Sequence, residues 1–318
     1  MYYPYFRGKQ YELITIRESA PVLAGAGFVP IIEPVRSEIG GLRKSFDAIR
    51  SAGVSAVLIS NPQHGEFSTN GAKLAEFLEH ELRTNDRLSV GLLLTENMRA
   101  GDVIEACERN AGSDVVLVHA GYTDAKGLMA NPDDTANVSA DIFLESACGK
   151  LYRRHFRDHP KKILVRDGFE RRRGRDHPDG AEFFSDLHIT FEEENMDGFG
   201  DFLIVGDEFL EGGGPAYTIV IHLTFIDDER DEAMYISHFK SKRQDTPKDP
   251  AGKFAEALQK LMNVLDSGRS KFAETSAIAE FRDLHARGHY PGLGYVKKLS
   301  MKHHIETLAG FLANEQVG

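Results

Sequence analysis

The sequence predicts an α/β protein: a (β/α)8, TIM-barrel-like barrel over residues 1–245, followed by a C-terminal helical extension over 246–318 that packs on it. Three observations carry this. Short runs rich in Val, Ile and Leu alternate with amphipathic helical patterns. Most runs are apolar at successive positions, as in strands buried on both faces. Eight of them fall within the first 224 residues, about 28 residues apiece, the size of one βα unit. The alternative, a doubly wound sheet, usually carries a glycine-rich first turn, and neither GxGxxG nor GxxxxGK[ST] occurs.

The expected strands are Tyr2–Phe6, Val29–Val35, Ala56–Ser60, Ser89–Thr95, Asp114–His119, Lys162–Arg166, Phe202–Val205 and Tyr217–Thr224. Between them, Gly41–Ser51 sets Leu42, Phe46 and Ile49 at helical spacing, Lys73–Arg83 does so with Leu74, Phe77, Leu78 and Leu82, and Gly101–Asn110 with Val103, Ile104 and Cys107. Gly53 and Gly112 suit helix C-caps. Residues 133–152 carry no clear element. After Thr224 the pattern changes: Tyr217–Lys240 reads as a β-ribbon with an acidic turn. Helices are then expected over Thr246–Asp266, Thr275–Arg287 and Ser300–Asn314.

Composition excludes several classes. With 41% hydrophobic residues the chain is not disordered, and two cysteines cannot make a disulfide scaffold. No apolar run is long enough to cross a bilayer, and MYYPYFRGKQ has no signal-peptide core, so a cytoplasmic protein with reduced thiols at Cys107 and Cys148 and no membrane partner is expected. The net charge of -11 disfavours broad nucleic-acid binding. Arg153–His177 is the exception, with ten Lys/Arg against four acids. It reads either as a solvated, internally paired surface or as a local anion or nucleic-acid contact.

In a barrel, chemistry gathers where strands end. There the sequence offers Glu33, Glu96, His119, Asp207 and His222 as acid–base or metal-binding candidates. Arg7, Lys9, Asn61, His64, Arg166 and Asp167 are the ligand-binding candidates, the arginines and lysine for a phosphate or carboxylate. Each has a bland reading beside it: a His within an apolar strand is commonly a hydrogen-bonded structural residue, and Glu33 can serve as the ion-pair partner of Arg7. No HExxH, HxH, GxSxG or CxxC pair occurs, so a divalent metal is left open and no ligand set is named. The Gly206–Gly214 loop either closes over a ligand or turns the chain, and adjacent His303 and His304 on one helix face different ways and do not suit a metal.

MYYPYFRGKQYELITIRE with VPIIEPV, GDFLIVGDEF, GGPAYTIVIHLTF, TPKDPAGKFAEAL and PGLGYVKKLSMKHHIE resemble blocks of the phage-type beta protein family and its bacterial relatives over almost the full length. The resemblance implies a component of a bacterial antiphage or mobile-element defence module, acting with a nuclease-like partner through a ligand site at the barrel mouth. It implies no active-site residues. A metal-dependent phosphodiesterase or other hydrolase, with nucleic acid or phosphate as ligand, and a non-catalytic barrel scaffold are the alternatives. Oligomeric state is not legible.

Overall fold

The structure, a computed structural model, describes residues 1–130, 132–212, 214 and 216–315. In chain order its strands are β1 (Tyr5–Phe6), β2 (Ile31–Ile32), β3 (Ala56–Ile59), β4 (Leu88–Thr95), β5 (Val115–Ala120), β6 (Val138–Leu144), β7 (Lys162–Val165), β8 (Ala181–Ser185), β9 (Gly198–Gly200), β10 (Val220–Asp227) and β11 (Ala233–Lys240). The main helices are α1 (Gln10–Gly25), α2 (Gly40–Ala52), α3 (Ala72–Thr84) and α4 (Ala100–Arg109). Short turns α5 (Ala125–Leu128), α6 (Lys150–Arg153) and α7 (Leu187–Thr190) follow, then α8 (Pro250–Leu265), α9 (Ser276–Arg287) and α10 (Leu293–Glu315). None of these helices is long and apolar enough to cross a membrane.

The chain forms two compact units, Met1–Asp167 with Thr190–Phe202, and Gly168–Ile189 with Leu203–Gly318. The first is the barrel. Eight parallel strands run β1-β2-β3-β4-β5-β6-β7-β9, and a parallel bridge between Tyr2 and Phe199 joins the first segment to the last. Its lumen is filled rather than open: Tyr5, Ile31, Ile59, Leu93, Val118, Ile142, Val165 and Phe202 form one buried cluster. The predicted helices at 41–51, 73–83 and 101–110 are present as α2, α3 and α4, and Gly53 caps α2 at φ 71°. α1 has no clean apolar stripe, because Glu12, Thr15 and Ser19 are buried beside Ile16 and Leu23, and Pro21 lies inside it.

Three strand expectations change. The sixth barrel strand is Val138–Leu144, hidden in the sequence by Asp141, a buried carboxylate whose two oxygens are taken by His119 and His159. Phe202–Val205 is not a strand: Leu203 turns the chain at φ 51°. The last barrel strand is Gly198–Gly200 just before it, and its glycines have a steric reason. A Cβ on Gly200 would stand 2.2 Å from the Tyr3 carbonyl oxygen at the closing seam. Tyr217–Thr224 leaves the barrel altogether.

That segment belongs to the second unit, where β10, β11 and β8 form an antiparallel sheet in the order β10-β11-β8. Ile219, Ile221, Leu223 and Phe225 alternate onto one face and pack on Phe254, Leu258 and Leu261 of α8, Ile278 and Phe281 of α9, and Leu299 of α10. Asp249 caps α8 through the Gly252 amide at 2.9 Å, with Pro250 in the first turn, and Thr275 caps α9 through Ile278 at 3.2 Å. The boundary expected at 245/246 therefore lies elsewhere: the β-ribbon groups with the C-terminal helices, and so does the Gly168–Ile189 excursion.

Candidate metal centre

At the barrel strand ends the expected Arg7–Glu33 pair is present and buried, with Arg7 Nε 2.9 Å from Glu33 Oε2. The same carboxylate accepts the Tyr5 hydroxyl at 3.0 Å and the Gln63 amide at 3.1 Å. Arg7 lies over the rings of Tyr5 and Phe202. Glu33 thus has both oxygens occupied within the protein. Asn61 is committed to the β4 backbone, donating to the Leu93 carbonyl at 2.9 Å and accepting the Leu93 amide at 2.8 Å. Arg166 makes a two-pronged pair with Glu145 at 2.6 and 3.0 Å. Lys9 and His64 are half-buried, while Glu96 and Asp167 are exposed.

Two of the expected catalytic residues are not part of the barrel. Asp207 and His222 lie in the second unit. His119 is in the barrel wall but alternates with the lumen residues Val116 and Val118, so its ring points outward. There it is fully buried, with Nε2 2.8 Å from Asp141, Nδ1 2.7 Å from the Tyr152 hydroxyl and a ring stacked on Phe143. Burial alone would raise the Asp141 carboxyl, but hydrogen bonds from His119 and His159 outweigh it and hold the group below its usual value. This is a structural network. Within the barrel unit, Glu33 and His119 are therefore held in separate networks, Glu33 with Arg7, Tyr5 and Gln63 and His119 with Asp141 and Tyr152.

The second unit assembles a different one. The β10–β11 register pairs His222 directly with His238, so both rings leave the same face of the sheet, opposite the apolar core. His177 arrives from the segment before β8, and the Lys240 ammonium, on the His238 strand, donates to its carbonyl. One candidate ligand atom from each of His177, His222 and His238 lies within 4.8 Å of the other two. The Nδ1 atoms of His222 and His238 are 2.7 Å apart, whereas two nitrogens on a tetrahedral zinc sit about 3.3 Å apart, so modest ring rotations would admit an ion.

The surroundings set the chemistry of these rings. Glu182 on β8 takes the His238 Nε2 at 2.7 Å and is itself gripped by Arg172 Nη1 at 2.7 and 2.8 Å. Burial would raise the Glu182 carboxyl, but Arg172 and His238 outweigh it, so it stays ionised. An ionised carboxylate requires the His238 Nε2 to carry the proton, which leaves the Nδ1 lone pair turned toward His222. Carboxylate-backed histidines of this kind are common metal ligands. His177 Nδ1 is buried and has no hydrogen-bond partner among the described residues. Burial, with His238 and Arg172 nearby, holds His177 down to about 4, and burial with His238 and His177 holds His222 well below its ordinary value. Burial also lowers His238, against the pull of Glu182. All three are neutral at pH 7, the form that binds metal.

His177 and His222 open onto a cavity of about 270 Å³ also lined by Phe169, Arg171, Arg172 and Lys297. A larger cleft of about 710 Å³ lies in the barrel unit, but there Lys150 and Arg153 are paired with Glu194, and Lys162 with Asp197. The basic run Arg153–His177 is thus divided between the units, and most of its charges are met locally. Gly213 of the Gly206–Gly214 loop lies outside the described residues. His303 and His304 are buried and structural, bonded to Thr275 and Thr224.

Of the three candidate ligands, only His222 is among the residues singled out from sequence. His177, His238 and Glu182 are not, since no short spacing links them. The chain matches no family model and no curated protein.

Proposed function

We propose that this chain is a metal-dependent hydrolase whose centre is His177, His222 and His238 of the second unit. The observation that carries this reading is the convergence of three imidazoles, one backed by an ionised carboxylate and one with a buried, unpartnered nitrogen. Three nitrogen ligands, two of them opening onto a cavity, would suit a catalytic zinc ion, which would supply an activated water. A structural zinc would be closed by a fourth protein ligand, and no cysteine or carboxylate belongs to this cluster among the described residues. Both cysteines are in the barrel unit, buried, with thiols pushed up to about 11 chiefly by that burial.

The test is zinc titration of chelator-treated protein by calorimetry, with metal content measured by mass spectrometry. One equivalent is expected in the wild type, lost in His238→Ala and His177→Ala, with the fold followed by circular dichroism. Wild-type protein that takes up no stoichiometric zinc, nickel or manganese would sink the reading. A place in a defence module beside a nuclease-like partner is a second proposal, supported by the sequence resemblance. Co-purification with the neighbouring gene product tests it, and a protein unaffected by that neighbour counts against it.

A further inference from the structure

We infer that the centre takes a phosphate ester, with the phosphoryl group held between the three histidines and the Arg171 and Lys297 side chains. The inference rests on the metal reading above and adds the substrate class. Three neutral imidazoles leave the double charge of a divalent ion uncompensated, so the ion itself attracts an anion. The cavity walls add to it: Arg171, Arg172 and Lys297 line the space, and no carboxylate does among the described residues. The chain as a whole carries a net charge of -11, and these cations line the wall beside the histidines.

The three cations have different tasks. Arg172 is engaged by both Glu182 and Glu170 and positions the histidine backing. Arg171 is braced from behind, its Nη1 donating to the Glu208 carbonyl at 2.8 Å and its Nε 3.4 Å from the Glu208 carboxylate, while its Nη2 makes no hydrogen bond among the described residues. A guanidinium held in this way presents a planar donor to phosphoryl oxygens. Lys297 is exposed on α10, and its charge acts on His222 from the same cavity. Phe169, whose ring meets His222 edge-on at 5.1 Å, offers an apolar surface to the ester group. At about 270 Å³ the space is near the lower limit of ligand pockets, so it fits a terminal phosphoryl group with part of its alcohol and not a polymer lying lengthwise. Hydrolysis balances without a redox partner: a water oxygen bonds to phosphorus, the bond from phosphorus to the alcohol oxygen breaks, and the water's proton goes to the departing alcohol.

The experiment uses full-length protein, metal-free and zinc-loaded, with inorganic phosphate as calorimetric probe and p-nitrophenyl phosphate and p-nitrophenyl acetate as substrates. Arg171→Ala, Lys297→Ala and the double variant are compared with wild type and with Arg83→Ala, an exposed control in the barrel unit. Phosphate is expected to bind zinc-loaded wild type and to weaken tenfold or more in the double variant. Zinc stoichiometry and melting temperature should hold, with KM for the phosphate ester rising in step. If zinc binds but the double variant keeps phosphate affinity within twofold, the inference is overturned and the metal reading survives. Cleavage of the acetate without the phosphate ester also overturns it. If zinc does not bind but phosphate does, through Arg171 and Lys297, the metal reading falls and the anion subsite stands; if neither binds, both fall.

Discussion

Replacing Glu33 with glutamine separates structural pairing from catalysis at the barrel strand ends. The carboxylate accepts Arg7 Nε at 2.9 Å, the Tyr5 hydroxyl at 3.0 Å and the Gln63 amide at 3.1 Å, and it is 1% exposed. A glutamine keeps one acceptor oxygen and sets an NH2 group against a second donor, while Arg7, 6% exposed, loses its counter-charge. Breaking a buried ion pair from one side costs about 3–5 kcal/mol. Arg7 keeps the faces of Tyr5 and Phe202, so the lower end, about 3 kcal/mol, is expected. For a unit of this size that lowers the melting temperature by roughly 6–12 °C. The chain has no tryptophan, so the barrel transition is followed by far-ultraviolet circular dichroism and urea titration. A variant that melts within about 2 °C of wild type, well inside that range, refutes the pairing argument. Unchanged or raised stability with lost hydrolysis would return Glu33 to the catalytic residues.

Three further outcomes follow from other parts of the molecule. Gly200→Ala forces a methyl group against the Tyr3 carbonyl at the barrel seam and should cost at least about 1–3 kcal/mol, read by the same urea titration; a neutral result would mean that the seam is loose. Glu182→Gln weakens the support of His238 and should lower zinc affinity about 10–100-fold in calorimetry without abolishing binding. His303, fully buried, is held at about 4 by burial despite the Thr224 carbonyl. Between pH 6.5 and about 4 the unfolded chain takes up a proton there that the folded chain refuses, so stability falls as pH drops through that window, by at most about 3 kcal/mol. His303→Gln should remove that part of the slope, and metal-free melts at pH 7 and pH 4.5 measure it.

The barrel was legible because most of its strands are apolar on both faces, and a run such as GLLLT or VVLV leaves few other readings. Where the chain breaks that rule the sequence is silent. VSADIFL holds a carboxylate in mid-strand, tolerable only because His119 and His159 meet it from elsewhere in the chain. GFG has the composition of a turn, yet its glycines serve the close approach of Tyr3. Both exceptions are long-range in origin. Counting apolar runs reached eight by passing over these two strands and taking in two segments that belong to the loop and to the other sheet.

The candidate centre was closer to legible than its residue spacings suggest. A two-stranded ribbon is a reflection: once its turn is located, every residue on one strand has a determined partner on the other. The acidic turn here is centred on Arg230, with Asp227 opposite Ala233, and the same reflection carries His222 to His238. Residues directly opposite each other in a ribbon share a face, so both histidines leave the same side. His177 is different in kind. It is brought in by the segment preceding β8, and only the β11–β8 pairing, which sets Glu182 against Ile236, puts that segment beside the ribbon. A search for metal ligands at helical or CxxC-type spacing therefore misses this class of site, whereas reflecting each recognisable β-ribbon about its turn recovers two of the three ligands from sequence alone. Shifting the ribbon by one residue should then separate His222 from His238 and remove zinc binding while leaving the barrel's own melting transition in place.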